Sequence, residues 1–528
     1  MTEPSQMRHL ALSAVLWCLA SCQSLPTTPH LPKSLELTKR SQQLPHDSSP
    51  LAIFHQATPK PSAYHLVSTG ADAFATRSIL TNIASGSIDV QYYIWHDDEA
   101  GLLMLKHLWQ AAERGVVVRL LLDDINGSPS LDKQLLAFAS HPNIAVRLVN
   151  PFVHRKVRFV NYLTEPLRLN HRMHNKSMTF DRQVSIIGGR NIGNEYLNHD
   201  KNNTFADLDV LVVGAVVKDI SQSFENYWQA GIAYDIQTLV KPSNHAVLFD
   251  SDIDHLLSDS KNQKALQTYH NAVKHPSFAI RAPQEMPLRW ADMVFVADDV
   301  SKLDGQQNNL DAYLIAQLQH MLGRPTERLS IISSYFVPTK EGVKTLVNLA
   351  KSGVKISILT NSFDATDVGA VHAGYGHWRK KLLKAGISLY ELKSTAKNSS
   401  EDENKFWRTK QTTTTSLHAK AFAFDNTDVF IGSYNIDPRS ANINTELGVL
   451  IKDKELAKQV HHALNNITHP NNAILHQAYQ VMLDKNNNLQ WRTIEDNQEV
   501  IYHTEPSMNL SEKTGIWLLS MLPIDWLL

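Results

Sequence analysis

Hydrophobic and polar positions change rhythm three times between Ser87 and Asp124, and the same three changes return far down the chain. Ile88-Asp89-Val90-Gln91-Tyr92-Tyr93-Ile94 alternates with period two, which predicts a strand with two unlike faces. Residues 101–114 then carry Leu102, Leu105, Leu108, Trp109 and Ala112 at helical spacing, and Gly115 ends the helix. Residues 116–122 form an unbroken apolar run closed by Asp123-Asp124, as expected for a strand covered on both faces. Strand, helix and buried strand in that order predict a parallel pair in an α/β sheet. The second copy has a strand at 329–337, a helix at 340–351 with Val343, Leu346, Val347 and Ala350 on one face, and a buried strand at 354–360. Gly353-Val354 matches Gly115-Val116, and the strand-end pair Tyr335-Phe336 matches Tyr92-Tyr93. A whole half is written twice, so the pattern predicts a tandem duplication rather than a solenoid of short units.

A chain of 528 residues is too long for one ordinary core, in keeping with two domains. The reading divides it into a signal segment at 1–22, a flexible tether at 23–62 and an N-terminal domain at 63–245. A connecting region follows at 246–325, with a polar excursion at 250–271, and then a C-terminal domain at 326–528. A charged and Thr-rich stretch, 393–415, is expected as a surface insertion. Lys and Arg total 51 against 52 Asp and Glu, so no global positive field exists, which argues against a nucleic-acid partner. The 43% hydrophobic content describes a globular protein rather than a multi-span membrane protein.

The two cysteines, Cys18 and Cys22, both lie in the leader, leaving none in the body for a disulfide, a thiolate nucleophile or a Cys-held metal. Arg8 and His9 precede an apolar run, 10–19, that suits a signal-peptide core and is too short to span a bilayer. Leu19-Ala20-Ser21-Cys22 resembles the bacterial lipoprotein box, in which Cys22 would be lipidated and hold the protein in the cell envelope. Gln23-Ser24 rather than Asp follow it, as in outer-membrane lipoproteins, though the choice of membrane stays open.

Each half also carries His-x-Lys-x-x-x-x-Asp, as His174-Lys176-Asp181 and His418-Lys420-Asp425. Gly188-Gly189-Arg190-Asn191 follows the first and Gly432-Ser433-Tyr434-Asn435 the second. Period-two alternation puts His and Lys on one face of a strand, with Met173, Leu417 and Ala419 on the other. A second short strand and a Gly turn then bring Asn191 and Asn435 back towards the same pocket. A phosphodiester needs a nucleophile, an acid for the leaving oxygen, and cations and donors for the phosphoryl oxygens. Two His supply the first two, and Lys176, Lys420, Asn191, Asn435 and the Ser433 hydroxyl the third. A nucleophilic His needs an acidic partner on its other nitrogen, for which Asp207 and Glu446 stand after the two Asn. A metal site is the rival reading of 25 His, but no convincing ligand spacing occurs and Lys is a poor ligand, so no metal or cofactor is expected. His372, His377, His461 and His462 are expected at the surface. The basic run His154-Arg155-Lys156-Val157-Arg158 is a candidate headgroup contact, and the apolar tail 516–528, with Trp517 and Trp526, is either an interfacial or a docked segment.

These paired motifs resemble the phospholipase D superfamily, and within it the bacterial cardiolipin synthases of the C type. The segments carrying the likeness include Leu148-Val149-Asn150-Pro151-Phe152, Arg168 through Lys176, Tyr375-Gly376-His377-Trp378-Arg379 and Asn435-Ile436-Asp437-Pro438-Arg439-Ser440. The resemblance implies an α/β fold of tandem duplicated domains, each a mixed, mostly parallel sheet flanked by helices, related by a pseudo-twofold with one site at their interface. It implies a phosphohistidine intermediate, with His174 as nucleophile and His418 as acid/base, an assignment that stays open. Asp181 and Asp425 complete the catalytic motifs, usually as stabilising partners. Phospholipids, phosphatidylglycerol among them, are the implied substrates at a membrane surface, and an accessory protein stays open. Phosphatidylglycerol as acceptor makes a cardiolipin synthase, water a phospholipase D, and a nucleic-acid substrate a nuclease. Gly189 opposite Ser433 leaves the phosphate cradle one hydroxyl short on the first side.

Overall fold

The computed structural model describes residues 24–43, 49–55, 61–197, 203–241, 249–260, 263–276, 286–305, 309–395, 414–465 and 473–508; the expected signal segment 1–22 with Cys22, and the tail 516–528, lie outside these. The N-terminal half contributes β1 (Ser62–Val67), β2 (Ser87–Tyr92), β3 (Val117–Asp123), β4 (Ile144–Val149), β5 (Ser177–Phe180), β6 (Val184–Gly188), β7 (Asn203–Ala206), β8 (Asp209–Gly214) and β9 (Ala233–Asp235). The C-terminal half contributes β10 (Arg289–Ala297), β11 (Arg328–Ser333), β12 (Lys355–Asn361), β13 (Ser388–Leu392), β14 (Thr414–Leu417), β15 (Lys420–Phe424), β16 (Asp428–Gly432), β17 (Leu447–Lys452), β18 (Ala478–Leu483), β19 (Leu489–Glu495) and β20 (Gln498–Tyr502).

Eighteen of these strands form one continuous sheet. Its order is β9-β4-β3-β2-β5-β6-β8-β1 in the first half and β10-β17-β16-β15-β11-β12-β13-β18-β19-β20 in the second. The halves join where β1 pairs antiparallel with β10 in the register Ser62↔Ala291, Ala63↔Trp290, Tyr64↔Arg289. β1 pairs with β8 as β10 pairs with β17, so the pseudo-twofold passes between β1 and β10. The segment read as a connector thus holds a strand of the shared sheet.

Only β2–β3–β4 and β11–β12–β13 run parallel within this sheet, which corrects the expected mostly parallel sheet to a mostly antiparallel one. The reason is local. Each His-Lys-Asp motif leads into a tight hairpin, β5–β6 or β15–β16, and a short turn permits only antiparallel pairing. Asp181 and Arg182 turn the first hairpin at φ 50 and 56, and Asp425 the second at φ 48, a left-handed conformation that Asp tolerates better than most residues.

The expected helices appear at Glu99–Glu113 and Lys340–Lys351, capped by the side chains of Asp98 and Thr339. In the first half, Ile88, Val90, Leu105 and Leu108 belong to a core on one face of the sheet, and Val117, Leu121, Phe224 and Trp228 to a core on the other. A third core is built jointly: Ile187, Val210 and Val212 pack in one cluster with Ile332, Leu417, Val429 and Val449. Burying apolar side chains from both halves together makes their separation costly.

The segment expected as a flexible tether holds a docked helix, Pro32–Gln43. Leu37 is buried, Lys33 Nζ donates to the carbonyls of Ala139 and His141, and Trp228 Nε1 donates to Thr38 Oγ1. Its apolar side is short, which is why composition alone reads as a linker. The end of the stretch 393–415 is likewise structural, because β14 pairs in parallel with β7 of the other half; residues 396–413 lie outside the described set.

Candidate active site

The backbone leading into each catalytic motif is held by the opposite half. Met173 bridges Thr445 and His174 N–H donates to Thr445 O at 2.9 Å. In the pseudo-symmetric place Leu417 pairs with Ala206, and His418 N–H donates to Ala206 O at 2.8 Å. His174 and Lys176 thus sit in an extended stretch just ahead of β5, and His418 just ahead of β15, rather than inside one long strand. Met173, Leu417 and Ala419 are buried on the far side, as the alternation predicts.

The side chains cross the interface too. His174 Nδ1 lies 2.8 Å from Glu446 Oε2, and His418 Nδ1 lies 2.6 Å from Asp207 Oδ2. Both carboxyl groups are fully buried, while His174 and His418 keep 8% and 7% of their surface. Where the carboxylate is ionised it only accepts, so its histidine carries the hydrogen on Nδ1 and keeps a lone pair on Nε2 for the pocket. Spacing points to Asp207 and Glu446 as the acidic partners but does not show that each serves the other half's histidine.

The two carboxyls differ in character. Burial pushes Glu446 up to about 7, against the pull of Lys176 and hydrogen bonds from Ser433 and Ser440. Burial also acts upward on Asp207, but His418, Lys420 and Arg190 outweigh it and hold the carboxyl at about 2. Desolvation, with Lys176 and Lys420 adding repulsion, drives His174 well below the ordinary histidine value. His418 is lowered by burial and Lys420, with Asp207 pulling the other way. Burial lowers both lysines, Lys176 well below its usual range. Their repulsions show the two His and two Lys gathered around one point, where an anion would relieve all four.

Unlike pairs of residues make the pocket asymmetric. The Asn side-chain oxygens fix the alignment: Asn191 Oδ1 accepts from Ile94 N–H at 3.1 Å, and Asn435 Oδ1 accepts from Ser334 Oγ at 2.9 Å and, more loosely, from Tyr335 N–H. Ile94 therefore corresponds to Tyr335 and Tyr93 to Ser334, correcting the match of Tyr92-Tyr93 with Tyr335-Phe336. Lys176 Nζ donates to its own His174 O and lies 5.1 Å from the centre of the Tyr93 ring. Lys420 Nζ likewise donates to its own His418 O but has the Ser334 hydroxyl as a second acceptor where Lys176 has the Tyr93 ring.

Ser433 is engaged within the protein. Its hydroxyl is fully buried and donates to Glu446 Oε2 at 2.5 Å, so it orients that carboxylate instead of cradling phosphate. Gly189 leaves room in the same place: a Cβ there would stand 2.1 Å from Asp207 Oδ1. Because both Asn oxygens are occupied, their Nδ2 groups are the ends left to donate to a ligand.

Asp181 and Asp425 stand at the hairpin turns at the far ends of their strands, where groups of their own half engage them. Asp181 accepts from the N–H groups of Ser85, Gly86 and Ser87 and from Ser49 Oγ. Asp425 accepts from the N–H groups of Thr326, Glu327 and Arg328 and from Thr326 Oγ1. Each ties its hairpin to the start of the neighbouring strand. His372 and His461 are buried rather than superficial, because Glu505 and Arg379 engage the first and Ser330 the second. His377 and His462 are exposed. Arg155 and Arg158 are taken up by Asp124 and Asp132, so they are not open headgroup contacts.

Residues outside the motifs complete the site. The Tyr93 ring meets His174 edge-on at 4.8 Å, and Tyr196 and Phe205 flank His418 at 5.3 and 5.0 Å. Ser440 Oγ donates to Glu446 Oε1 at 2.8 Å. Among the described residues no group of three or more His, Cys, Asp or Glu is arranged to hold a metal ion. The arrangement offers two imidazole nitrogens and two ammonium groups to one anion, which is the equipment of covalent phosphoryl transfer.

A family model described as cardiolipin synthase, PLD-like domain, matches residues 79–228 and 318–468, one copy around each histidine. Cardiolipin synthase C of Escherichia coli K12 is 40% identical over 458 residues, covering 87% of this chain and 94% of that protein. An uncharacterized protein of Helicobacter pylori J99 is 34% identical over 77% of this chain and 80% of its own length. Among solved structures, phosphatidylserine synthase of Haemophilus influenzae Rd KW20 superposes with a TM-score of 0.56 over 94% of this chain and 99% of that one. At 13% identity this is a likeness of fold.

Proposed function

We propose that this chain, which belongs to the PLD-like cardiolipin synthase family, is a phosphatidyltransferase that makes cardiolipin by transphosphatidylation between phospholipids. The observation that carries the reading is the crossed pair of histidines, each presenting Nε2 to one pocket while the opposite half's carboxylate holds Nδ1. His174 is the nucleophile in this proposal. Its Nε2 attacks the phosphorus of phosphatidylglycerol, forming an N–P bond as the P–O bond to glycerol breaks. The His418 imidazolium gives its proton to the departing glycerol oxygen. His418 then takes the proton from the hydroxyl of a second phosphatidylglycerol, whose oxygen attacks phosphorus and releases His174. Lys176 and Lys420 neutralise the phosphoryl oxygens in both steps.

The unlike carboxyls support this division of labour. Asp207, held ionised, favours a charged imidazole on His418, as an acid requires. Glu446, close to half-protonated at neutral pH, gives His174 less help to charge, and His174 sits well below the ordinary value. We further propose lipidation at Cys22 as a tether to the cell envelope; no described helix is long and apolar enough to cross a membrane.

The test is mass-spectrometric analysis of products from phosphatidylglycerol in detergent micelles. Cardiolipin and glycerol are expected, with no turnover by His174→Ala and accumulation of label on His174 when His418→Ala is supplied with substrate. Phosphatidic acid and glycerol as sole products would replace the synthase with a hydrolase, and label on His418 would reverse the roles.

A further inference from the structure

The segment entering the first catalytic motif carries an apolar crest that nothing in the catalytic pocket uses. Two short helices, Phe159–Thr164 and Pro166–Asn170, hold Phe159 at 62%, Leu163 at 75% and Leu167 at 83% exposure, with Tyr162 and Val157 near half. Single exposed apolar residues are ordinary on a soluble surface, but a run of large ones on consecutive turns marks an interaction site. We propose that this crest inserts into the surface of the phospholipid bilayer and sets the catalytic pocket at the lipid interface. The proposal rests on the reading that the substrates are membrane phospholipids.

Three observations favour a bilayer. The crest is held up rather than left slack. Arg155 clamps it to Asp124 and Asp132, and Arg158 to Asp132. Asn161 ties its own turn to His154, and Asn150 Nδ2 donates to the carbonyls of Arg168 and His171. These part-buried polar contacts hold the base of the crest in place with its apolar side chains outward.

Its charge does not oppose an anionic surface. The one acid on the crest, Glu165, is engaged by Arg168, while exposed Lys156 makes no ion pair among the described residues. Four arginines that look in sequence like headgroup ligands are satisfied by protein acids: Arg155 and Arg158 as above, Arg168 by Glu165, and Arg172 by Asp123. Attachment is therefore mainly apolar, with a weak salt dependence set by Lys156.

The crest is also mechanically continuous with the chemistry. Arg439 donates to Asn170 Oδ1 at 2.7 Å and Asn170 O at 2.6 Å at the crest's end. On the same short helix Ser440 donates to Glu446, which holds His174. An inserted crest would place the pocket beside the headgroups, so the reacting phosphate need not leave the membrane for solution.

The experiment exploits the cysteines, both of which lie in the leader. In full chain carrying Cys18→Ser and Cys22→Ser, Leu163→Cys takes one environment-sensitive fluorophore and no lipid anchor. Mixed with vesicles of phosphatidylethanolamine and phosphatidylglycerol, the label is expected to brighten and shift to the blue, with little change on adding salt. The same label at Lys218→Cys, an exposed position on helix Val216–Trp228, should not respond. An unresponsive label at position 163 overturns the proposal, as does a label already blue without vesicles, which would mean that another part of the chain covers the crest. In a second arm, Phe159→Ser with Leu163→Ser and Leu167→Ser should keep its rate on detergent-dispersed phosphatidylglycerol. Its vesicle binding and vesicle turnover should fall by about 1,000-fold or more, since three large apolar side chains lose their burial. Equal losses in micelles and vesicles overturn the proposal, because the crest would then be structural. Absence of turnover by the parent chain in either medium overturns the phospholipid-transfer reading, while the fluorophore still decides the docking surface.

Discussion

Replacing Asp207 by Asn keeps its shape and removes only the charge that His418 receives from the opposite half. The Asp207 carboxyl stands at about 2 instead of 3.8, although burial acts to raise it, so attraction to His418, Lys420 and Arg190 more than cancels the cost of desolvation. At about 1.4 kcal/mol per pKa unit, the net shift corresponds to a preference for those cations on the order of 2 kcal/mol. The gross attraction is larger, because it also offsets complete burial. If His418 loses support of the net size, its protonated fraction near neutrality falls by on the order of 50-fold. In the micellar assay for cardiolipin, kcat should fall by about that factor with KM little changed, since substrate binding rests on the lysines. The sign for pH follows from the same contact. Removing an anion lowers the His418 pKa, so the alkaline limb of the rate profile, where the acid loses its proton, should move to lower pH. An unchanged rate with an unmoved alkaline limb would refute the crossed carboxylate as support for the acid.

Glu446→Gln should act oppositely on stability. The folded carboxyl is raised from 4.5 to about 7, so the unfolded chain ionises first and wild-type stability declines as pH rises through that window. The variant should match wild type near pH 4 and exceed it above pH 7 by about 3 kcal/mol, read as a higher Tm; equal melting at both ends would contradict the shift. Asp181→Ala removes an acceptor of three backbone N–H groups and one hydroxyl and should cost roughly 2–4 kcal/mol of stability, with near-normal turnover by the folded enzyme at low temperature. A collapse of kcat without a fall in Tm would place Asp181 in the chemistry.

The duplication and the His-Lys pairs could be read from sequence because both are local patterns: period-two alternation and fixed spacing survive without knowledge of the partner strands. The exchange of Asp207 and Glu446 between halves could not, because it depends on how β1 meets β10. β10 itself lay hidden in a segment read as a connector, since exposed Arg289, Asp292 and Val294 blur its alternation. The match of Tyr93 to Ser334 was missed for a similar reason. Aromatic likeness suggested another register, whereas the Asn191 and Asn435 contacts set the true one. Composition also misplaced His372 and His461, whose polarity is met by buried partners rather than by water.

The shared sheet has a consequence for what each half is free to become. Two identical copies meeting across a true twofold axis would carry every substitution on both sides of the pocket at once. Joined in one chain, Gly189 can yield space to Asp207 while Ser433 pins Glu446, and neither change is imposed on its mirror image. Covalent linkage lets one pocket keep two unlike sides, and the proposed transfer, which runs in one order, has use for both.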